Sequence, residues 1–280
     1  MSGRPDKGGR PARASAGAPR GAGPGAKREP YRKPPLRLFS TTLWEYPSQH
    51  YGDTIQGDKH YVGATPSWVI WQLLTRYTRE KDLVIDPMCG GGTTLDVARD
   101  LGRRALGYDV APHPDREGEI FRADARKLPL EDGKADFVFL DPPYSTHIEY
   151  SDAPDCIGRL DAGEVDPRTG EAGRAYYEAM EGVIRETHRV LKNRRYMALY
   201  VSDSFKKRKG RDAGPAFMPI GFELFSILRR YYSPADIVCV VRHNSKLQRA
   251  NWRKAAEEGN FFLRGFNYLF IMKKEDDARR

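Results

Sequence analysis

Short, nearly continuous apolar runs recur along the chain, most of them closing on an acidic residue or a turn. Leu83-Val84-Ile85 ends at Asp86, Ala105-Leu106-Gly107-Tyr108 at Asp109, and Phe137-Val138-Phe139-Leu140 at Asp141. Runs this short and this apolar predict strands buried on both faces of a mainly parallel sheet. Met197 to Val201 (MALYV), the stretch ADIVCVV that ends at Val241, and Tyr268 to Met272 (YLFIM) predict three more, and a further strand is expected before Asp124. The last two are close enough in sequence to form a hairpin. Between the strands the period changes to that of helices. Trp68, Trp71 and Leu74 recur after Thr65-Pro66, a pair suited to a helix cap and first turn. Leu95, Val97, Ala98 and Leu101 mark a second helix, Tyr176, Met180, Val183, Ile184 and Leu191 a third, and Ile220 to Tyr231 a fourth. The expected fold is α/β: a seven-stranded, mostly parallel sheet with an antiparallel last strand and helices on both faces.

Charge divides the chain differently. Residues 1–37 hold ten Lys and Arg against Asp6 and Glu29, so this stretch carries +8 of the net +9 and the remainder is close to neutral. Gly, Pro, Ala and Arg dominate it, and so few large apolar side chains cannot offset the entropy of ordering the segment. A disordered basic tail over 1–37 and a single domain over 38–280 are expected. The tail adds salt-dependent phosphate contacts or serves solubility. It has no apolar core of a secretory signal, and no apolar run is long enough to span a bilayer, which predicts a cytoplasmic protein without membrane attachment. Cys89, Cys156 and Cys239 are widely spaced and predict neither a disulfide framework nor a metal site. The lead-in from Leu38 to His60 is aromatic and aperiodic, with Trp44, Tyr46 and Tyr51 read as core anchors. His188 falls off the apolar stripe of its helix and reads as solvated.

Two stretches carry chemistry. The first runs Asp86-Pro87-Met88-Cys89-Gly90-Gly91-Gly92-Thr93-Thr94 between a strand and a helix. Strand, glycine turn and helix form the opening unit of a Rossmann-like sheet, in which glycines let the main chain approach a ligand. Asp109, twenty-three positions beyond Asp86, stands where an acidic residue binds ribose hydroxyls. The second is Asp141-Pro142-Pro143-Tyr144 at the tip of a buried strand. Its prolines lack N–H groups and stop the strand, which leaves carbonyls exposed beside a carboxylate and an aromatic ring. Such a cluster suits a flat heterocycle bearing an exocyclic amine.

These two stretches resemble the S-adenosylmethionine-dependent amino-methyltransferases, whose motifs are (Asp/Asn/Ser)-Pro-Pro-(Tyr/Phe/Trp) and Asp-Pro-Phe-x-Gly-x-Gly-Thr-Thr. Met88 departs from the usual Phe. The resemblance implies a class I methyltransferase domain and S-adenosylmethionine as cofactor. It implies catalytic roles for Asp141, Pro142, Pro143 and Tyr144. It implies cofactor contacts from the glycine stretch, from Thr65 and Pro66 within Tyr61 to Pro66, from Asp109, and from Asp124 beside the adenine. The Asp-headed tetrapeptide implies transfer to adenine N6 in DNA ahead of cytosine N4. RNA guanine amino-methylation and a non-catalytic nucleic-acid-binding regulator are the alternatives. Cytosine C5 chemistry needs a thiolate in a Pro-Cys context, which Cys89 after Met88 does not supply.

Three connections emerge at the carboxyl ends of the strands, the edge where ligands bind in such sheets. Ser202 to Pro219 holds Lys206, Lys207, Arg208, Lys209 and Arg211. His243 to Gly265 holds Lys246, Arg249, Trp252, Arg253 and Lys254. Basic loops with an aromatic residue suit phosphate contacts and stacking, and make nucleic acid, DNA first, the expected partner. Ser145 to Gly173 is acidic instead. With loops this short, strong sequence specificity requires an oligomer or a partner chain.

Overall fold

The computed structural model describes residues 33–206, 216–243 and 249–276. Its centre is an eight-stranded sheet in the order β1-β9-β10-β6-β5-β2-β3-β4. The strands are β1 (Leu43–Trp44), β2 (Leu83–Asp86), β3 (Arg104–Asp109), β4 (Ile120–Arg122), β5 (Ala135–Leu140), β6 (Leu191–Val201), β9 (Ser233–Val241) and β10 (Phe266–Lys273). β7 (Ser204–Lys206) and β8 (Ala216–Met218) form a separate antiparallel ribbon. All contacts within the large sheet are parallel except those of β10, which runs antiparallel to both β6 and β9. The expected seven strands and the antiparallel last one are present. The eighth, β1, adds two residues outside β9, at Leu43 opposite Cys239 and Trp44 opposite Val240. A two-residue strand has no period of its own, because its partner strand supplies its conformation.

β2 and β5 lie at the middle and are buried at every position. Alternate residues of β5 enter two different cores. Val138 and Leu140 face a cluster with Met180, Val183 and Ile184 of α3 (Arg174–Val190) and Leu224 and Leu228 of α4 (Ile220–Tyr231). Phe137 and Phe139 face the other, with Trp68, Val69 and Leu73 of α1 (Ser67–Tyr77) and Val97 and Ala98 of α2 (Thr93–Asp100). The lead-in covers α1. Trp44 and Tyr46 are buried in the second core, while Tyr51 packs on Trp71 and donates to Asp100 at 2.7 Å. All three are core anchors, as their size predicts.

Three local readings change. Thr65 does not cap α1, which starts after Pro66 without a side-chain cap. Its hydroxyl is committed elsewhere. Leu191 opens β6 rather than closing α3, because that strand begins six residues before its apolar stretch, with Leu191 buried and Lys192, Asn193 and Arg194 exposed. His188 is not a free surface group: its ring lies edge-on to Tyr232 at 5.1 Å and its Nε2 is 3.2 Å from Asp276. Among the described residues, no helix is long and apolar enough to cross a membrane. The basic tail through residue 32, together with Lys207, Arg208, Lys209, Arg211 and Lys246, lies outside the described residues.

Candidate active site

From β2 the chain proceeds outward to β3 and β4, then returns to β5 on the other side of β2. The sheet therefore reverses between β2 and β5, and a crevice opens at their carboxyl ends. Asp86 and Asp141 stand at those two tips.

Asp86 is 4% exposed, and its carboxylate is consumed in shaping its own turn. It accepts from Thr94 Oγ1 at 2.6 Å and from the Met88 N–H at 3.1 Å. Gly90 and Gly92 adopt φ of +49° and +83°, a region that favours glycine. A Cβ at Gly90 would lie 2.6 Å from the Tyr61 ring, and one at Gly91 would lie 3.0 Å from Tyr61 Cβ. The glycine turn is thus bare enough for a flat group to rest on it, and Tyr61 does so. Cys89 turns into the sheet, against Gly107, where a Cβ would come within 2.6 Å of its sulfur, and burial pushes its thiol up. Thr93 and Thr94 open α2.

Asp109, at the tip of β3, accepts from the Gly90 N–H at 3.1 Å and the Ala111 N–H at 2.9 Å. Burial pushes its carboxyl up despite these bonds. Asp124 follows β4 and holds the Arg126 guanidinium at 2.7 Å. Burial acts to raise its carboxyl too, but the bonds from Arg126 outweigh it and hold Asp124 below the usual range. A cleft of about 90 Å³ lies between these groups, lined by Pro87, Met88, Asp109, Val110, Asp124 and Ala125 on one side and Pro143, Tyr150, Asp155, Cys156 and Ile157 on the other, with Tyr61. Ligand pockets for molecules of cofactor size span roughly 300–1,000 Å³. Tyr61 and the segment carrying Tyr150 must therefore give way for such a ligand. A larger open hollow of about 720 Å³ lies away from both strand tips, among Arg185, Glu186, Arg189 and Lys274. Its charges are largely engaged with one another: Arg189 binds Glu186 and Asp132, and Lys274 donates to the His188 and Leu191 carbonyls. The smaller cleft, beside the two strand tips, is the candidate site.

At the tip of β5 both oxygens of Asp141 are engaged. Oδ2 accepts from the Thr65 hydroxyl, and Oδ1 accepts from the Tyr144 hydroxyl at 2.8 Å. Burial, with the neighbouring Asp86 charge, pushes the carboxyl up to about 7 against the pull of those two donors. Tyr176 in α3 donates to the Pro143 carbonyl at 2.8 Å, and Asn267 Nδ2 in β10 donates to the Tyr144 hydroxyl at 3.2 Å.

Of the residues the sequence points to, Pro87, Met88, Asp109, Asp124 and Pro143 line the cleft. Asp86, Cys89, Gly90, Gly91, Gly92, Thr93 and Thr94 form the turn above it, Pro66 precedes α1, and Thr65 touches Asp141. Lys206 pairs through its backbone with Ala216. Arg249, Trp252, Arg253 and Lys254 lie on or beside α5 (Ala250–Glu258), a helix that buries none of its residues. This helix connects β9 to β10, so it arises on the same sheet edge as Asp141. Sequence reading passed over Tyr150, Tyr176 and Asn267. Asn267 left a readable signal: an amide near the start of the otherwise apolar run FNYLFIM, on the site edge of an antiparallel strand.

Strand order, the glycine turn and the carboxylates at the strand tips define a Rossmann-like α/β fold with a ligand crevice at the tips of β2 and β5. A family model described as DNA methylase matches residues 19–114, a stretch that contains the glycine turn and Asp109 and stops before Asp141. This is the family the two motifs resemble. No curated protein sequence matches the chain significantly. Among solved structures, TrmN from Thermus thermophilus is 15% identical with a TM-score of 0.46, over 76% of this chain and 50% of its own. The chain thus spans half the length of that protein. A methyltransferase from Methanosarcina mazei is 14% identical with a TM-score of 0.45, over 72% of this chain and 97% of its own. A TehB-like methyltransferase from Corynebacterium glutamicum is 11% identical with a TM-score of 0.41, over 74% and 87%.

Proposed function

We propose that the protein methylates an exocyclic amine of a base in DNA, adenine N6 ahead of cytosine N4. The observation that carries this reading is Asp141, a partly buried carboxylate beside the cleft that Asp109 and the glycine turn border, followed by two prolines and a tyrosine. When bound, S-adenosylmethionine supplies an activated methyl group. Pro87, Met88, Asp109 and Asp124 would hold it, with Asp109 on the ribose and Asp124 beside the adenine. The bare glycine turn fits that role, because a Cβ at Gly90 would fill the space a ligand needs.

An aromatic amine is a weak nucleophile because its lone pair is delocalised into the ring. Asp141 and a proline carbonyl accept its two N–H bonds and turn the lone pair toward the methyl carbon, so orientation and electrostatics supply the catalysis. Tyr176 already donates to the Pro143 carbonyl, which favours Pro142 as the second acceptor. As the new N–C bond forms, the amine sheds a proton. A carboxylate with its pKa raised to about 7 is basic enough to receive it near neutral pH. A base in a duplex must first be extruded, and the exposed cations of α5 with Trp252 suit the flanking phosphates and bases.

Methyl-labelled cofactor incubated with matched DNA, transfer RNA and protein substrates, followed by mass spectrometry of the nucleosides, tests the reading. N6-methyladenine in DNA is expected. Methylguanine confined to RNA, or label confined to protein, would replace the proposed substrate. Cofactor binding has its own test. Asp109→Ala should weaken S-adenosylmethionine by about 10- to 100-fold in equilibrium dialysis, the worth of charge-assisted hydrogen bonds. An unchanged affinity would remove Asp109 from the cofactor site.

A further inference from the structure

Asn267 is 3% exposed and stands one residue into β10, between the half-exposed Phe266 and Tyr268. One end of its amide, Nδ2, donates to the Tyr144 hydroxyl at 3.2 Å. The other end, Oδ1, is shut off from solvent and accepts nothing among the described residues. A buried acceptor without a donor is costly, and a leucine-like side chain would fill the same strand position without that cost. Its neighbour explains why an amide is useful there.

A tyrosine hydroxyl has one proton to give. Tyr144 accepts from Asn267 Nδ2 and gives its proton to Asp141 Oδ1 at 2.8 Å. A half-turn of the Asn267 amide would bring Oδ1 to the place of Nδ2, within reach of the same hydroxyl. Before that turn one buried amide end is unpaired, and after it one is still unpaired. The amide itself gains and loses nothing by the turn, but Asp141 Oδ1 gives up its donor, so the turned state is favoured only once another N–H donor reaches Asp141. Asp141 Oδ1 is an atom the proposed reaction needs for the target amine.

We infer that Asn267 is a positioning residue that switches the Tyr144 hydroxyl between Asp141 and its own vacant carbonyl, freeing Asp141 when the target amine arrives. The inference rests on Asp141 being the group that holds the amine. No proton changes its heavy atom in this step. The O–H bond of Tyr144 rotates away from Asp141 toward Asn267, and an N–H bond of the target takes the place it leaves. Tyr144 then remains beside the base without competing for the carboxylate.

The test is a cycle of Asn267→Ala, Tyr144→Phe and the double replacement, with turnover of adenine-containing duplex DNA at saturating cofactor as readout. Asn267→Ala should lower kcat ten- to hundredfold and leave cofactor KM within twofold. In the Tyr144→Phe background the same change should alter kcat less than twofold, because no hydroxyl remains to be switched. An equal loss in both backgrounds overturns the inference, as does wild-type turnover in Asn267→Ala. A second variant needs no turnover. Asn267→Asp can accept from Tyr144 but not donate to it, which withdraws a donor from Asp141 and adds a like charge. Asp141 is otherwise faced by Asp86 on β2, by Arg242 after β9, and by the hydroxyls of Thr65, Tyr61, Tyr150, Tyr176 and Tyr200. Carbon-13 NMR of the Asp141 carboxyl in the cofactor-free protein, assigned with Asp141→Asn, should show its titration displaced upward by half a pH unit or more. An undisplaced titration overturns the inference whatever the substrate is. If wild-type protein methylates no base, yet this displacement occurs and falls by half or more in the Tyr144→Phe background, the proposed function falls and the Asn267 switch stands; a displacement of equal size in both backgrounds, the mark of the added charge alone, overturns the inference.

Discussion

Replacing Asp141 by Asn is expected to slow methyl transfer about a thousandfold while cofactor affinity stays within about threefold. The size follows from removing one preorganised electrostatic contact to the reacting group, typically a factor of about 10²–10³. The change keeps the shape of the side chain and inverts part of its chemistry. Thr65 and Tyr144 both donate to the carboxylate, so an amide at this position must turn its own N–H bonds toward one of them. It also presents the target amine with a donor where an acceptor stood. The cofactor contacts proposed above, at Met88, Asp109 and Asp124, do not involve Asp141, so cofactor binding should survive. Single-turnover kinetics and equilibrium dialysis on the same preparation check both halves. Turnover within tenfold of wild type would remove Asp141 from the chemistry.

The second large effect is in pH. In the free protein Asp141 and Asp86 are both pushed up to about 7, first by burial. If Asp141 must be ionised to hold the amine, kcat/KM for the base falls tenfold per pH unit below about 7. Because the two carboxyls interact, the limb belongs to the pair. A bound sulfonium is a cation and favours the ionised forms, so the limb lies at lower pH at saturating than at limiting cofactor. Asp86→Asn, by removing a nearby negative charge, should draw the limb down as well. Stability follows the same sign. A carboxyl whose pKa is higher in the folded than in the unfolded chain stabilises the fold fully below the unfolded value near 3.8. That contribution is lost as pH rises through about 7. Denaturation midpoints between pH 5 and 8 should therefore decline less steeply in Asp141→Asn than in wild type. An identical slope would show that Asp141 is already ionised at pH 5.

Much of this is legible in the sequence, for a definable reason. β2 and β5 are buried at every residue, so Leu83 to Ile85 and Phe137 to Leu140 had to be apolar, and a carboxylate at the end of such a run is conspicuous; the buried Asp136 at the start of β5 is matched instead by Lys192 and Arg195. Two glycines at positive φ marked the turn after β2 as surely as the strand itself. Residues whose role is set by distant partners were less legible. Thr65 reads as a helix cap from its neighbours in sequence, and only the return of the chain 76 residues later brings Asp141 to its hydroxyl. Asn267 and Tyr144 are 123 residues apart, and Tyr176 reaches Pro143 from a helix face that reads as plain core. Cys89 sits within the motif yet packs inward, a direction that spacing alone does not reveal.

The two cores that grip β5 have a consequence for how the protein can change. Phe137 and Phe139 are gripped from one side and Val138 and Leu140 from the other, so no repacking confined to one face can shift the strand tip. By contrast α5 buries none of its residues. A helix held this loosely can be exchanged, lengthened or fused to a foreign recognition module while the Asp141 carboxylate keeps its position. Substrate choice is thereby left free to diversify around a chemistry that is held still.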